Sequence, residues 1–214
     1  MVLKQLTGIV LSIFGLSATK PLRRYLGQTT LQTHGGKWVP AIGIAVYVKL
    51  IENRDGDSVG LRWDGPRPFL KRVVTGLVVM IGANIVLAPL HKRFGTEQLE
   101  ADMGELSKGS FRDHLFIAVT AGVTEELLFR GYALERIEEL TGNSLLAAGS
   151  TLLAFVLAHK GEMWGWKSVL LIAQPATIIT ALYLRFRDLP AVITIHALND
   201  LIGLVVMSRR DAEA

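Results

Sequence analysis

The chain has 214 residues and no cysteine. That one absence excludes a disulfide-stapled fold, a cysteine nucleophile and a thiolate metal centre. Charged residues are scarce at 20% and aromatic ones scarcer at 7%, while 50% of the chain is hydrophobic. A disordered segment and a collagen-like repeat are excluded with them. There is no internal repeat, no low-complexity tract and no basic run interleaved with aromatics, so the net charge of +4 does not indicate nucleic-acid binding. Basic residues at helix ends, facing anionic headgroups, account for it better. Two enzyme signatures are also missing. The five histidines precede Gly35, Lys92, Leu115, Lys160 and Ala197, so no His-Glu-x-x-His zinc motif exists. No Gly-x-Ser-x-Gly nucleophile elbow exists either.

What is present is a set of long apolar runs. Val73–Leu90, Leu140–Ala158 and Ser168–Leu184 carry no charge at all. Lys71, Arg72, Lys160, Lys167, Arg185 and Arg187 stand at or near their ends. A spanning helix needs ~20 mainly apolar residues with snorkelling cations at its flanks. The pattern predicts an all-α, polytopic membrane bundle of about six to seven helices, with the lipid bilayer as its surroundings.

Gln5–Thr19 is an apolar run behind Lys4, and Leu16-Ser17-Ala18 is a weak cleavage site, so we expect a retained first helix rather than a signal peptide. Lys20–Lys37 reads as a polar, basic connection, Trp38–Ile51 as a shorter apolar segment, and Glu52–Pro68 as a loop. Phe69–Leu90 is the clearest span. His91–Arg112, with Thr96-Glu97-Gln98 and Ser107-Lys108-Gly109, reads as a second loop. Asp113–Leu140, Ser144–His159, Lys167–Phe186 and Leu189–Ser208 read as helices, the third kinked at Pro175 unless neighbours satisfy the freed carbonyl. This divides the chain into N-terminal membrane helices and loops over 1–110, a helical core over 111–208 and a polar tail over 209–214. Lys and Arg are spread evenly over alternate loops, so orientation is not legible.

Ionisable groups inside apolar helices are costly and usually face the bundle interior or a site. Three clusters qualify. In Glu125-Glu126-Leu127-Leu128-Phe129-Arg130, helical spacing pairs Glu126 with Arg130 and turns Glu125 away, free to act elsewhere. Alone, the cluster reads equally well as a solvated helix end. In Phe155-Val156-Leu157-Ala158-His159, Phe155 sits one turn before His159 and is placed to pack against its ring. A lone histidine at a helix end is more often interfacial than functional. In His196-Ala197-Leu198-Asn199-Asp200, three polar side chains stand midway along an apolar segment, with His196 and Asp200 on one face. A structural polar network is the plainer alternative there. A Glu beside a His can activate water, and His and Asn can donate to an oxyanion. That is equipment for amide hydrolysis.

The three motifs, in this order and spacing, resemble those of the CPBP family. These are the CAAX-protease and bacteriocin-processing intramembrane enzymes, also called the Abi family and related to the Rce1-type prenyl-protein proteases. The resemblance covers roughly Phe111–Met207 well and the N-terminal half loosely, although Val59-Gly60-Leu61-Arg62 resembles a segment preceding the family's early helices. It implies an Rce1-like intramembrane protease core, a multi-pass place in a prokaryotic plasma membrane, and a membrane-associated peptide or protein substrate, processed as a CAAX-type protein or a leader peptide. Under it Glu125 is the general base with His159 as partner, and His196 and the residue four positions on stabilise the oxyanion. Glu126, Arg130 and Phe155 support them.

One position departs from the family pattern, because Asp200 stands where Asn is commoner. An ionised Asp cannot donate a hydrogen bond. Either Asp200 is protonated, or Asn199 donates, or Asp200 only orients His196. No cofactor and no metal is expected, although Glu125, His159, His196 and Asp200 form a conceivable ligand set. The competing classes are a non-catalytic scaffold, an immunity-type protein, or a proton-coupled carrier using the same Glu and His residues.

Overall fold

The computed structural model describes residues 1–26, 30–94, 108–159 and 166–213. Every regular element among them is helical: α1 (Val2–Leu26), α2 (Thr30–Gly35), α3 (Trp38–Val46), α4 (Pro66–Phe94), α5 (Phe111–Glu126), α6 (Glu135–Thr141), α7 (Ser144–Ala158), α8 (Trp166–Phe186) and α9 (Leu189–Glu213). Single π-helical stretches extend α3 over Tyr47–Ile51 and join α5 to α6 over Leu127–Leu134, and a 3-10 turn covers Gly56–Val59.

Four of the described helices are long and apolar enough to cross a membrane, over Val2–Thr19, Pro66–Pro89, Val169–Phe186 and Leu189–Arg209. Val78, Ile85 and Val86 of α4 are exposed, as a lipid-facing surface requires. The chain is an integral membrane protein. The expected bundle of about six to seven helices is present, with the four long spans joined by α5 and by the shorter apolar helices α3 and α7. α7 has 15 residues, about 22 Å at 1.5 Å per residue, against a hydrocarbon core of ~30 Å. α3 is shorter still, with 9 residues before its π turn. The charge-free run Leu140–Ala158 is not one helix. Gly142 takes a left-handed conformation (φ +67°) that stops α6, and the Asn143 side chain caps α7 by accepting from the Leu146 N–H.

The first helix is built into the bundle. Gln5, Ile9, Ser12 and Leu16 are buried, a stripe at helical spacing, and Gly8 lets α1 lie against the Tyr132 hydroxyl. The Ser12 hydroxyl donates to the carbonyl of Leu128 within the π stretch. Much of Lys20–Lys37, expected as a connection, is helical in α1 and α2. α4 begins at Pro66 and runs through Pro89 to Phe94, shortening the loops expected on either side, and α8 continues through Pro175. The loop expected around Thr96-Glu97-Gln98 and Ser107 lies outside the described residues, while Ser110 and Asp113 cap α5 reciprocally. The tail expected over 209–214 continues α9 to Glu213.

The π stretch Leu127–Leu134 is the hub of the packing. Leu128, Phe129 and Tyr132 join Ile9, Ile44 and Val48 in one apolar cluster, and Leu134 joins Ile179, Leu189 and Ile195 in the other. Around α6 a rim of ion pairs closes one end of the bundle. Arg136 is fully buried against Glu52 at 2.7 Å, Arg187 bridges Glu135 and Glu138 at 2.9 and 2.7 Å, and Arg72 pairs with Asp188 at 2.6 Å and with Asp64. The short helices α3 and α7 both reach this rim. Their other ends, at Lys37–Trp38 and Ala158–His159, both come beside Glu125 of α5.

Candidate functional site

Three structural features bring the sequence clusters together. Small residues let α5 and α9 approach, since a Cβ on Gly122 would lie 2.9 Å from the Ile193 carbonyl and 3.0 Å from the Ala197 Cβ. This close crossing is the kind small residues permit in membrane bundles, and it sets His196 against the end of α5. The helix then widens into its π stretch directly after Glu126, a distortion frequent at functional sites. Finally, α7 stops at its C-cap, His159, which sets that ring beside Glu125.

The two adjacent glutamates serve separate groups. Glu126 is fully buried, and its Oε1 accepts from Arg130 Nη1 at 2.9 Å and lies 2.7 Å from His196 Nδ1. Arg130 also donates to Thr180 Oγ1 and to the Ala176 carbonyl, with its guanidinium 4.5 Å above the Phe155 ring. On the far side of His196, Nε2 lies 3.2 Å from Asp200 Oδ2. Asn199 Nδ2 donates to Asp200 Oδ1 at 3.3 Å, and its own Oδ1 accepts from Asn84 of α4 at 3.1 Å.

Glu125 belongs to the second group. Its Oε1 accepts from Lys37 Nζ at 2.9 Å, and its Oε2 lies 3.9 Å from His159 Nε2. The Glu125 carboxylate is almost wholly buried and Lys37 largely so. The His159 ring is fixed from two sides. Its Nδ1 is 2.8 Å from the Phe155 carbonyl, and its ring centroid is 4.6 Å from that of Phe155. Because a carbonyl oxygen can only accept, Nδ1 carries the proton, and in the neutral ring Nε2 presents a lone pair toward Glu125.

The expected pairs Glu126–Arg130, Phe155–His159 and His196–Asp200 are all present in the geometry. Glu125 is turned away from the Glu126–Arg130 pair, and it has a partner that the sequence did not reveal, Lys37, which reaches it from the N-terminal half. Helical spacing within one segment cannot reveal a partner 88 residues away. Asn84 was also missed, although it is the single amide inside the charge-free run Val73–Leu90. Among the described residues no group of three or more His, Asp or Glu is placed to hold a metal ion, since the four residues of the conceivable ligand set fall into the two groups just described.

Residues 109–202 match a family model described as type II CAAX prenyl endopeptidase Rce1-like. No curated protein and no solved structure matches the chain. The matched segment runs from just before α5 into α9. It includes every candidate residue from Glu125 to Asp200 and leaves Lys37 and Asn84 outside.

Proposed function

We propose that this chain, whose segment 109–202 matches the Rce1-like family model, is an intramembrane endopeptidase of that family that hydrolyses a peptide bond with glutamate-activated water. The observation that carries the reading is the pair of acceptors formed by Glu125 Oε2 and His159 Nε2, 3.9 Å apart. Neither can donate to the other while the carboxylate is ionised and the ring neutral. A water molecule, with two protons to give, fits between them at about 2.8 Å from each. Its oxygen lone pair is then turned outward for attack.

Glu125 takes one proton as the new C–O bond forms, and returns it to the amine as the C–N bond breaks. The other water proton stays on the oxygen, hydrogen-bonded to His159 Nε2, until the carboxylic acid product ionises. Across the site, Asn199 Nδ2 and the proton held between His196 Nε2 and Asp200 Oδ2 supply the donors that meet the oxyanion, the contact between those two side chains opening to admit the substrate oxygen. Glu126 and Arg130 hold His196 in place. The substrate class is a membrane-associated peptide or protein of the CAAX type.

The test uses a fluorogenic farnesylated C-terminal CAAX peptide, with purified protein in proteoliposomes. Cleavage by the wild type should fall by about 10²–10⁴-fold in Glu125→Gln, with binding of the peptide kept. Extensive chelation should leave the rate in place. A Glu125→Gln protein that still cleaves refutes the base assignment, and loss on chelation restored by zinc replaces this mechanism with a metal-assisted one.

A further inference from the structure

The position of Lys37 carries an inference beyond the residues of the matched segment, and it rests on the endopeptidase reading. Lys37 lies between α2 and α3, far from the three motif helices in sequence. Its ammonium nevertheless sits 2.9 Å from Glu125 Oε1, with the lysine side chain 16% exposed and the glutamate side chain 5%. Next to it, the Trp38 indole N–H donates to Thr120 Oγ1 of α5 at 3.1 Å, and Thr120 is fully buried. Two polar contacts thus fasten the start of α3 to α5, one of them on the glutamate itself.

The two oxygens of a carboxylate are equivalent until something distinguishes them. Here Lys37 occupies Oε1, and Oε2 is the oxygen that faces His159 Nε2. Burying a carboxylate among apolar helices is costly without a counter-charge, and within hydrogen-bond distance Lys37 supplies one. It also blocks rotation of the carboxylate about its terminal bond, which is otherwise soft. We infer that Lys37 is a positioning residue for the reaction: it keeps Glu125 charged and assigns Oε2 to the attacking water, so that the N-terminal half of the chain completes the site. Lys37 acts through Glu125 and does not itself need to touch the substrate.

The experiment uses the full chain in proteoliposomes and the same farnesylated peptide. Variants Lys37→Met, Lys37→Gln, Lys37→Arg and Lys37→Ala are compared with Glu125→Gln, with kcat counted per monodisperse molecule. Lys37→Gln keeps a donor without the charge and stands in if Lys37→Met does not fold. Lys37→Met and Lys37→Gln should lose about tenfold or more in kcat with KM within about twofold, the signature of an interaction that serves the transition state. Lys37→Arg should recover most of the rate, and n-propylammonium should partly restore Lys37→Ala while tetramethylammonium, which has no N–H to donate, should not. A merely structural lysine would not respond to added amine.

The inference is overturned if the neutral variants turn over at the wild-type rate. It is equally overturned if all four Lys37 variants lose activity alike with no rescue. If Glu125→Gln cleaves, the endopeptidase reading fails instead; if Glu125→Gln is inactive and Lys37→Met is not, the role of Lys37 alone fails.

Discussion

Replacing Glu126 tests the division of labour between the adjacent glutamates, because the structure assigns a stability cost to one and a chemical cost to the other. Glu126 and Arg130 are both fully buried and pair at 2.9 Å. Removing one partner of such a pair typically costs ~3–5 kcal/mol, since an uncompensated charge is left behind. Glu126→Leu belongs at the upper end, because His196 Nδ1 loses its acceptor at 2.7 Å as well. Glu126→Gln belongs at the lower end: its carbonyl oxygen can take the place of Oε1, and Arg130 keeps Thr180 Oγ1, the Ala176 carbonyl and the Phe155 face. For a chain of this size each kcal/mol shifts Tm by roughly 2–4 °C, so the two changes should lower it by about 6–20 °C. Glu125→Gln should cost less than half as much, because Lys37 is partly exposed and can move its ammonium toward water. The assay is a melting curve in one detergent for each variant, beside the double variant Glu126→Leu/Arg130→Met. Removing both charges should cost well below the sum of the single changes. A Glu126→Leu protein that melts within about 2 °C of wild type, or one more stable than Glu125→Gln, would refute the argument.

Two further outcomes are expected. Asp200→Asn should retain activity within about threefold, because the amide can still face His196 and adds a donor, whereas Asp200→Leu should lose about tenfold or more; equal damage from Asn and Leu, measured as kcat on the same peptide, would mean that the carboxylate itself is required. At the charged rim, the Arg187 guanidinium holds the Glu138 carboxyl below its ordinary value near 4.5, against the opposing effect of burial and with help from Ser144. The contribution of this pair is therefore complete above that ordinary value and is lost as pH falls through the lowered one. Melting curves between pH 7 and pH 3 should show a smaller acid-side decline in Arg187→Met than in wild type, and parallel curves would remove this pair from the account.

Local sequence was informative wherever the interacting residues shared a helix. Glu126–Arg130, Phe155–His159 and His196–Asp200 are each one turn apart, and helical geometry alone brings each pair together. The charge-free run at Val73–Leu90 likewise became most of α4. What could not be read was contact between helices. The ligand of Glu126 beyond Arg130 is His196, 70 residues on, and its approach depends on Gly122 admitting the α9 backbone. Lys37 looked like one more basic residue in a connection, since nothing local distinguishes a cation that caps a membrane helix from one that neutralises a buried carboxylate. The Leu140–Ala158 run misled for a different reason. Hydropathy registers apolar length, and the single left-handed glycine at 142 divides that length into two helices with only a small effect on the average. That division makes α7 short and places His159 inside the bundle.

Charge balance gives a physical reason why Asp can stand at position 200. Glu125 and Lys37 cancel each other, and so do Glu126 and Arg130. Asp200 adds a negative charge within the span Leu189–Arg209, where an isolated ion is expensive. His196 lies between Glu126 Oε1 at 2.7 Å and Asp200 Oδ2 at 3.2 Å, so each ring nitrogen faces a carboxylate oxygen. Two acceptors on opposite sides of one imidazole call for a proton on each contact. One proton beyond those of a neutral ring, carried by His196 or by the Asp200 carboxyl, satisfies both contacts and cancels the added charge. With Asn at 200 that proton is unnecessary, because the amide brings no charge and His196 keeps Glu126 as acceptor. Asp with its proton and Asn without it therefore leave the site at the same net charge. Leu at 200 removes the hydrogen-bonding partner of His196 Nε2 and of Asn199 Nδ2, and it is this loss, rather than a change in charge, that the Asp200→Leu variant isolates.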